Sequence, residues 1–367
     1  MRLALLRNLR EEQNLSMKLT ADRIERALSP SVTIQNVLPP SASLGGRLAE
    51  YASTFVRYPN CVRDLRADVY HIVDHAYAHL LRALPAQKTV VTCHDLMLLR
   101  LARGHFGKRS APRIATALLS YSVNHLRNAR RVIAVSEATA SDAIDMCGLS
   151  QERVSVVYQP VDAVFMPRPK DIDRGELRRE LGFGSRPVLL HVGESWFYKN
   201  IEGVLRALAV VNDRRSERPV LVRLGKPLTA KQLALARSLG VIESVREVGT
   251  VSTERLRHYY WAADALVFPS LWEGFGWPVV EAMACGLPVV CSANGALKEV
   301  AGNAAEIVDS EDPLDIARGI RVVLEDGTRR SDLISSGLIN VRRFDTVTFA
   351  TRLMQLYSEI ADTRGAE

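Results

Sequence analysis

The chain has 367 residues, room for two domains, and its 47% hydrophobic and 24% charged residues are ordinary for a soluble globular protein. No apolar run reaches the roughly 18 residues that a membrane-spanning helix needs. The five cysteines form no C-x-x-C pair typical of a zinc site, and MRLALLRNLREE is too short and too charged for a signal peptide. We therefore expect a cytoplasmic protein with reduced thiols.

The net charge of +7 lies entirely in the first half of the chain. Residues 1–165 hold 21 basic and 14 acidic residues, and the remainder is neutral. A basic surface attracts nucleic acid, an anionic membrane or an anionic substrate. The charge distribution therefore favours one of these three partners for the first half.

The first 65 residues predict two strands, each followed by a helix. The segments RLALLRN and VTIQNVLPP read as strands, and EEQNLSMKLTADRIERAL has its apolar residues at helical spacing. A loop and a second helix fill residues 44–65. Strands and helices that alternate in this way form a parallel α/β sheet.

Three histidines follow at four-residue spacing: His71, His75 and His79. The spacing suggests metal ligands on one helix, but DVYHI around His71 reads as a strand, so only His75 and His79 are expected to share a helix. We therefore predict no metal site here. His71 and Asp74 are interpreted instead as lining a strand-end loop beside a cleft.

The segment TVVTCHDLMLL predicts a buried strand that ends at His94 and Asp95. Open α/β sheets bind their ligands outside the carboxyl ends of the strands, so both residues are expected at the ligand face. The imidazole of His94 can hydrogen-bond a hydroxyl there. Asp95 can in addition cap the next helix by accepting from its backbone N–H groups.

Residues 96–131 contain eight basic residues and no acidic one. Leucines, Phe106 and Ile114 lie among the first five bases, a pattern typical of an amphipathic segment on an anionic membrane surface. The same segment can instead receive a lipid that bears a pyrophosphate, or form an ordinary solvated basic face. Its few aromatic residues argue against stacking on nucleic-acid bases.

A strand and a proline-punctuated linker in VSVVYQPVDAVFMPRP place the domain boundary at residue 165. PVLLHVGESWFYKNIEGVLRAL then restarts the pattern with a buried strand, Gly193, a loop and a helix. Lys199 lies near the start of that helix, where its ammonium can neutralise a diphosphate. REVGTVSTERLRHYYWAAD adds a strand that ends near Gly249, a loop that contains Val251, and an amphipathic helix.

Residues 264–300 are the most informative stretch of the chain. They read as strand, loop, helix, strand, loop and helix, in which Pro278 suits the first turn of the first helix and Gly286 its end. Gly274 and Gly276 allow backbone N–H groups to approach a ligand closely.

Two carboxylates lie in the same stretch, Glu273 in the first loop and Glu281 on the first helix. Carboxylates accept hydrogen bonds from hydroxyl groups, and the helix N-termini nearby favour phosphate. The implied ligand is anionic at one end and rich in hydroxyls at the other, as a nucleotide-sugar is.

The run EGFGWPVVEAMACGLPVV resembles the E-x7-E signature of the retaining glycosyltransferases of family 4, and the resemblance covers almost the whole chain. It implies an α/β protein of GT-B fold, with two Rossmann-like domains facing a central cleft. Residues 1–165 would bind the acceptor and residues 166–345 the nucleotide-sugar. Residues 346–367 would form a C-terminal helix that packs back on the N-terminal domain.

The resemblance also implies roles for individual residues. Catalytic roles are expected for His94, which would lie near the reacting sugar, Glu273 and Lys199. Acceptor-side contacts are expected from Asp95, His71 and Asp74. Glu281 is expected to bind the ribose hydroxyls and Glu273 those of the sugar. The full set of expected donor contacts is Gly193, Glu194, Lys199, Gly249, Val251, Glu273, Gly274, Phe275, Gly276, Trp277, Glu281, Gly295, Ala296 and Leu297.

The chain departs from the family pattern at two places. Residues 14–16, Asn-Leu-Ser, stand in the loop where family members have a glycine-rich sequence. Glu194 replaces an arginine that, with Lys199, would bind the diphosphate. Arg223 and Lys226 are the candidate substitutes for that missing cation.

We therefore predict a retaining glycosyltransferase that moves a hexose from a GDP- or UDP-linked sugar to a glycan or lipid-linked acceptor, in the biosynthesis of a cell-surface polysaccharide. The enzyme is expected to need no metal or other cofactor and not to bind nucleic acid. Residues 96–131 would hold it against the inner face of the cell membrane.

Two alternatives compete with this prediction. A sugar-nucleotide epimerase or a phosphorylase of the same fold would need acid/base carboxylates from both domains or a pyridoxal lysine, and we find neither pattern in the sequence. A non-catalytic basic protein of GT-B fold, acting on membrane or nucleic acid, would not need Glu273, Glu281 and Lys199 together.

Overall fold

The structure is a computed structural model that describes residues 1–8, 15–29, 31–40, 46–107, 109, 111–213 and 217–362. The chain divides into two compact units: unit 1 is Met1–Pro160 with Thr346–Glu367, and unit 2 is Val161–Asp345. Unit 1 therefore ends at Pro160 and not at the predicted residue 165. The reason is that the N–H of Val161 already donates to the carbonyl of Phe344 in unit 2, at 2.8 Å.

Unit 1 is built on a parallel six-stranded sheet. Its strands are β1 (Arg2–Leu6), β2 (Thr33–Val37), β3 (Val69–Ile72), β4 (Thr89–Cys93), β5 (Arg131–Ala134) and β6 (Val154–Val156), in the spatial order β2-β1-β3-β4-β5-β6. Its first helices are α1 (Leu15–Leu28), α2 (Arg47–Ala52), α3 (Tyr58–Val62), α4 (Met97–Ala102), α5 (Arg113–Asn124) and α6 (Glu137–Cys147). A 3-10 helix, His75–Arg82, follows β3.

Helices cover both faces of this sheet because successive side chains of a strand point to opposite sides. Leu3 and Leu5 of β1 pack in one core cluster with α1, and Ala4 and Leu6 pack in a second cluster on the other face. Leu15 and Ser16, predicted as part of a loop, begin α1, and Asn14 lies outside the described residues.

Unit 2 repeats the architecture with a second parallel six-stranded sheet. Its strands are β7 (Val188–Val192), β8 (Val220–Leu224), β9 (Val245–Gly249), β10 (Ala265–Phe268), β11 (Val289–Ser292) and β12 (Ala305–Val308), in the order β12-β11-β10-β7-β8-β9. Its helices are α7 (Arg174–Glu180), α8 (Ile201–Asn212), α9 (Ala230–Ser238), α10 (Thr253–Ala262), α11 (Trp277–Ala284), α12 (Leu297–Ala301), α13 (Pro313–Glu325) and α14 (Gly327–Asn340). The sequence analysis predicted no strand where β12 lies.

The last helix, α15 (Thr346–Ala361), returns to unit 1. Phe349, Leu353 and Tyr357 lie on its buried face, in the same core cluster as Leu3 and Leu5 of β1. Within the part of the chain that the structure describes, no helix combines the length and apolar composition needed to cross a bilayer.

Each sheet reverses its direction of growth at one place. In unit 1 the chain adds β2 on one side of β1 and then β3 on the other, and in unit 2 it adds β8 on one side of β7 and later β10 on the other. Ligands of open α/β sheets bind in the crevice outside the strand ends at such a place. We call the loops after β1 and β3 the reversal point of unit 1, and those after β7 and β10 the reversal point of unit 2.

Candidate active site

An ion pair bridges the reversal point of unit 2. Lys199 ends a 3-10 helix after β7 (Phe197–Lys199), and Glu273 lies in the loop after β10. The Nζ atom of Lys199 lies 2.7 Å from Oε1 and 2.9 Å from Oε2 of Glu273. The two side chains are only 13% and 10% exposed. At that burial, each charge depends on the other for compensation.

Two aromatic rings also contact the Lys199 ammonium. Its Nζ lies 5.1 Å from the ring centroid of Phe268 and 5.3 Å from that of Tyr198. Ring faces attract a cation within about 6 Å. The ammonium is therefore held in a fixed position at the strand ends, where it can meet an anionic ligand without being reorganised.

The second carboxylate of the signature, Glu281, lies on α11 and is 7% exposed. Tyr260 of α10 donates its hydroxyl to Oε2 of Glu281 at 2.8 Å. Burial, and then the charge of Glu281, raise the pKa of Tyr260 well above its usual range, so the phenol keeps its proton. The sequence reading did not find Tyr260, since it stands among other aromatic residues on an amphipathic helix and nothing in its spacing marks a partner.

The two glycine-containing loops of the signature pack directly against each other. A Cβ added at Gly295 would lie 2.3 Å from the carbonyl oxygen of Glu273, and one added at Gly276 would lie 2.7 Å from Leu297. Both glycines also have positive φ, 58° and 103°. The structure thus brings together the loops that carry Gly274 and Gly295, as the expected donor contacts require.

Three of the expected donor contacts are apolar residues with buried side chains. Phe275 is 4% exposed and packs edge-on against Trp277 and Phe344, at centroid distances of 5.3 and 5.6 Å. Ala296 and Leu297 are fully buried. The side chains of these three residues pack beneath the two loops. Only their backbone can therefore reach a ligand.

The ends of three neighbouring strands of unit 2 also approach one another closely at glycine residues. A Cβ at Gly225, after β8, would lie 2.2 Å from the carbonyl oxygen of Gly193, after β7. The N–H of Gly225 donates to the carbonyl of Gly249, at the end of β9, at 3.0 Å. Val251 lies half-buried in the loop that follows.

The two candidate replacements for the missing arginine lie in different environments. Arg223 is 2% exposed, and it donates to Nδ1 of His191 at 2.6 Å and to the carbonyl of Gly193 at 3.2 Å. Burial lowers its pKa to about 10. Arg223 therefore fixes the loop after β7 from beneath. The ammonium of Lys226 lies 2.8 Å from the carboxylate of Glu194, so these exposed charges neutralise each other.

A hydrogen bond between neutral and charged groups bridges the reversal point of unit 1. Asn8, after β1, donates from Nδ2 to Oδ2 of Asp74, after β3, at 2.6 Å. The other oxygen of Asp74 accepts from the N–H of Ala76 at 2.9 Å. Oδ1 of Asn8 is buried and has no hydrogen-bond partner among the residues that the structure describes. Sequence reasoning missed Asn8, whose only signal is a polar side chain just after a buried strand.

His94 lies beside this bridge and is 7% exposed. Its Nε2 lies 2.7 Å from the carbonyl oxygen of Val73, which can only accept, so Nε2 carries the proton. Burial lowers the pKa of His94, so the ring is neutral at pH 7 and Nδ1 keeps a lone pair. The N–H of His94 donates to Nδ1 of His75 at 3.4 Å. Asp95 accepts from the N–H of Met97 at 3.0 Å, at the start of α4.

The sequence analysis expected His71 on the acceptor side, but the structure places it in the interior of unit 1. Its ring nitrogens lie 2.5 Å from the Tyr357 hydroxyl and 2.7 Å from the Thr92 hydroxyl, and it is fully buried. Its side chain points to the face of the sheet that α15 covers, and burial lowers its pKa to about 3. His79 is likewise internal, 3.0 Å from the Ser122 hydroxyl. Among the described residues, no group of three or more histidine, cysteine or acidic side chains could hold a metal.

The basic segment of residues 96–131 is partly engaged inside unit 1. Arg100 forms an ion pair with Asp142, with its Nε 2.7 Å from Oδ2. Arg103 and Arg127 each donate to one of the last carbonyls of α6, at 2.8 Å, where the helix dipole favours a cation. These three arginines therefore have partners within unit 1, although Arg103 and Arg127 remain exposed.

Two family descriptions match successive parts of the chain. "Glycosyltransferase Family 4" matches residues 6–165, and "Glycosyl transferases group 1" matches residues 173–338. The two matches meet between residues 165 and 173, near the boundary between units 1 and 2.

Individual relatives agree with these matches. The D-inositol 3-phosphate glycosyltransferase of Geodermatophilus obscurus is 31% identical over 331 residues, which cover 84% of this chain and 71% of the relative. The O-antigen chain mannosyltransferase B of Escherichia coli is 27% identical over 300 residues, covering 81% of this chain and 75% of the relative.

Solved structures share the fold over nearly the whole chain. HepE of Anabaena, crystallised with UDP and glucose, superposes with a TM-score of 0.78 at 20% identity, covering 98% of this chain and 100% of its own. WaaG, a glycosyltransferase involved in lipopolysaccharide biosynthesis, has a TM-score of 0.72 at 16% identity, covering 98% of this chain and 100% of its own. The predicted α/β GT-B fold is confirmed.

Proposed function

The chain belongs to the glycosyltransferases of family 4, and from this premise we propose that it transfers a hexose from a nucleoside-diphosphate sugar to a glycan or lipid-linked acceptor, with retention at the anomeric carbon. The observation that carries the proposal is the nearly buried Lys199–Glu273 pair at the reversal point of unit 2. An ammonium held beside loops whose glycines allow a ligand close to the backbone suits a diphosphate. A carboxylate next to it suits the hydroxyls of the attached sugar.

The diphosphate is the leaving group, so its negative charge grows as the glycosidic bond breaks. Lys199 and the backbone N–H groups of residues 274–277 stabilise that charge, and one such group is worth roughly 3 kcal/mol of barrier. The anomeric carbon separates from the phosphate oxygen and bonds to the acceptor oxygen. The departing phosphate takes the acceptor proton. No metal is required in this scheme.

Glu281 binds the ribose hydroxyls of the donor. The hydrogen bond from Tyr260 occupies Oε2 of Glu281 and fixes the carboxylate before the donor arrives. Support for a UDP- or GDP-linked donor comes from the relatives: HepE was solved with UDP and glucose, and the Escherichia coli relative is named a mannosyltransferase.

Unit 1 supplies hydrogen-bonding groups for hydroxyls. The Nδ1 lone pair of His94 accepts a hydrogen bond from a sugar hydroxyl, and Asp74 and Asp95 line the acceptor side. The names of two relatives, one acting on the O-antigen chain and one involved in lipopolysaccharide biosynthesis, support an acceptor in cell-surface polysaccharide assembly.

A separate part of the proposal concerns the membrane. Ile114 is 69% exposed at the start of α5, next to the exposed Arg113. An exposed apolar side chain beside a basic one suits an anionic lipid surface on the cytoplasmic side. Flotation with vesicles containing phosphatidylglycerol should retain the wild type and lose the double variant Ile114→Ser/Arg113→Gln, whereas equal flotation of both would remove this part.

Nucleotide release tests the proposed activity. The protein is incubated with UDP-glucose, UDP-galactose or GDP-mannose, with and without EDTA, and released UDP or GDP is measured. We expect release from one donor, unchanged by EDTA, and faster when a lipid-linked saccharide acceptor is added. The absence of release from every donor in all conditions would contradict the proposal.

A further inference from the structure

One further side chain, Asn200, ties together the loops that carry Lys199 and Glu273. Its Nδ2 donates to the carbonyl of Pro269 at 3.0 Å and to that of Ser310 at 2.6 Å. Pro269 directly follows β10 and opens the loop that carries Glu273, whereas Asn200 directly follows Lys199. The amide therefore crosses the reversal point of unit 2 beside the ion pair.

Asn200 holds this position in a left-handed backbone conformation, which asparagine tolerates better than other residues with a Cβ but less well than glycine. Its φ is 55° and its ψ 38°, and among the residues that the structure describes it is the only one other than glycine with a positive φ. A residue with a Cβ is disfavoured in this region. A glycine would adopt the same backbone without strain, so the presence of asparagine points to a need for its side chain.

The Asn200 side chain does not cap the helix that follows it. Asn200 is the N-cap residue of α8, where an asparagine usually accepts a hydrogen bond from an N–H of the first turn. It makes no such bond. Its amide is directed instead to two carbonyl groups outside the helix.

Gly203 makes room for this arrangement. A Cβ added there would lie 2.6 Å from Oδ1 and 2.7 Å from Nδ2 of Asn200. Glycine within a helix is less favourable than alanine, so a third local preference is overruled in favour of the same amide. Locally unfavourable choices that gather at one place are a mark of functional sites.

We propose that Asn200 is a positioning residue whose amide fixes the loop after β7 to the loop after β10, and so holds Lys199 and Glu273 in the geometry that the donor diphosphate and sugar require. The inference rests on the proposed function of that pair. A change in the geometry of a bound donor lowers kcat more than it raises KM, since small misplacements of reacting groups are costly to rate.

Two variants separate this role from simple stabilisation. Asn200→Gly removes the amide and accepts the positive φ without strain. Gly203→Ala improves the helix but pushes the amide out of its place. The matched control is Asn212→Ala at the other end of α8, which removes an amide that donates to Ser244 at 3.2 Å.

The readout is nucleotide release from UDP-glucose or GDP-mannose, whichever the wild type uses. Asn200→Gly and Gly203→Ala should each lower kcat about tenfold to a hundredfold with little change in the donor KM. Neither should melt at a lower temperature than Asn212→Ala, which should keep the wild-type kcat. In the double variant, Gly203→Ala should add no further loss, because the amide that it displaces is already gone.

Three results would overturn the inference: a wild-type kcat in Asn200→Gly, an equal loss from Gly203→Ala with and without the amide, or a loss of activity that simply follows the melting temperature. If the wild type releases nucleotide from none of UDP-glucose, UDP-galactose and GDP-mannose, the proposed function fails and amide hydrogen exchange tests the link itself. Residues 193–199 and 269–273 should then exchange faster in Asn200→Gly, with β7 and β10 unchanged, and unaltered exchange in both loops would contradict it.

Discussion

The two reversal points solve the same structural problem with different chemistry. In unit 2 an ion pair between Lys199 and Glu273 joins the two loops. In unit 1 the amide of Asn8 joins Asp74, and the histidine beside them, His94, is neutral. The difference matches the ligands that we propose, because a diphosphate requires a fixed positive charge, whereas a hydroxyl requires only a well-placed hydrogen-bond partner.

The two units also bury polar groups in different ways. Unit 2 keeps the charge of Lys199 by placing a carboxylate and two ring faces around it. Unit 1 buries His71 and His94 and keeps both uncharged. Charge is retained only where a partner compensates it. The predictions below test the charged side and the neutral side in turn.

Replacing Lys199 with alanine should have the largest effect. It removes the expected diphosphate cation that is nearly buried at the donor loops, so kcat/KM should fall about a hundredfold to a thousandfold, roughly 3–4 kcal/mol. The control is Lys231→Ala, an 81% exposed lysine paired with Glu202, for which we expect less than about a twofold change. Steady-state nucleotide release measures kcat/KM for both variants. Equal losses in the two would contradict a particular role for the charge of Lys199.

Two replacements of His94 test the neutral side. His94→Gln keeps an N–H able to reach the carbonyl of Val73 but lacks the Nδ1 lone pair, and His94→Ala lacks both. If the lone pair acts on a hydroxyl, both variants should lose about a hundredfold in kcat. Recovery of the rate in His94→Gln would show that His94 serves only to hold Val73.

Acid should destabilise the fold through its neutral histidines. The folded pKa of His71 is about 3, below the unfolded value of 6.5, so the unfolded chain binds a proton first as pH falls. Its contribution is fully present above pH 6.5 and is lost below it, by about 2 kcal/mol between pH 7 and pH 5.

Urea denaturation at pH 7 and pH 5 measures this loss. His71→Gln should reduce the pH dependence of the unfolding free energy by about one proton. The comparison is made between variants because His191 in unit 2 is also buried with a lowered pKa. An unchanged slope in His71→Gln would contradict the assignment of His71 to the core.

Tyr260→Phe should have the smallest effect. It removes one hydrogen bond to the Glu281 carboxylate without changing the shape of the side chain, so donor affinity should fall about tenfold, near 1.5 kcal/mol. Tyr259→Phe, the neighbouring buried tyrosine, is the control and should bind the donor as the wild type does. Calorimetry with UDP and GDP distinguishes the two.

The parts of the candidate site that the sequence indicated lie within one continuous stretch. Glu273, Glu281 and the glycines between them belong to a single strand–loop–helix unit, so their spacing alone indicates that they share a ligand face. The α/β class was predictable for the same reason, since each strand and helix is encoded locally.

What the sequence could not predict depends on partners distant in the chain. Tyr260 is defined by its contact with Glu281, and Asn200 by carbonyl groups of Pro269 and Ser310. The role of His71 was misjudged because the strand pattern does not reveal which face the returning helix α15 covers. The strand β12 was missed because Glu306 interrupts the apolar run that marked β10 and β11.

The most direct test of the account is nucleotide binding by the wild type and by Glu281→Ala in one thermal-shift panel of UDP, GDP, ADP and dTDP, with and without EDTA. A nucleotide at about 100 times its dissociation constant adds roughly 2.7 kcal/mol of stability. The account predicts that one nucleotide raises the melting temperature of the wild type, that EDTA does not alter the shift, and that Glu281→Ala largely loses it. No shift with any nucleotide, or an undiminished shift in Glu281→Ala, would contradict the claim that the reversal point of unit 2 is the donor site.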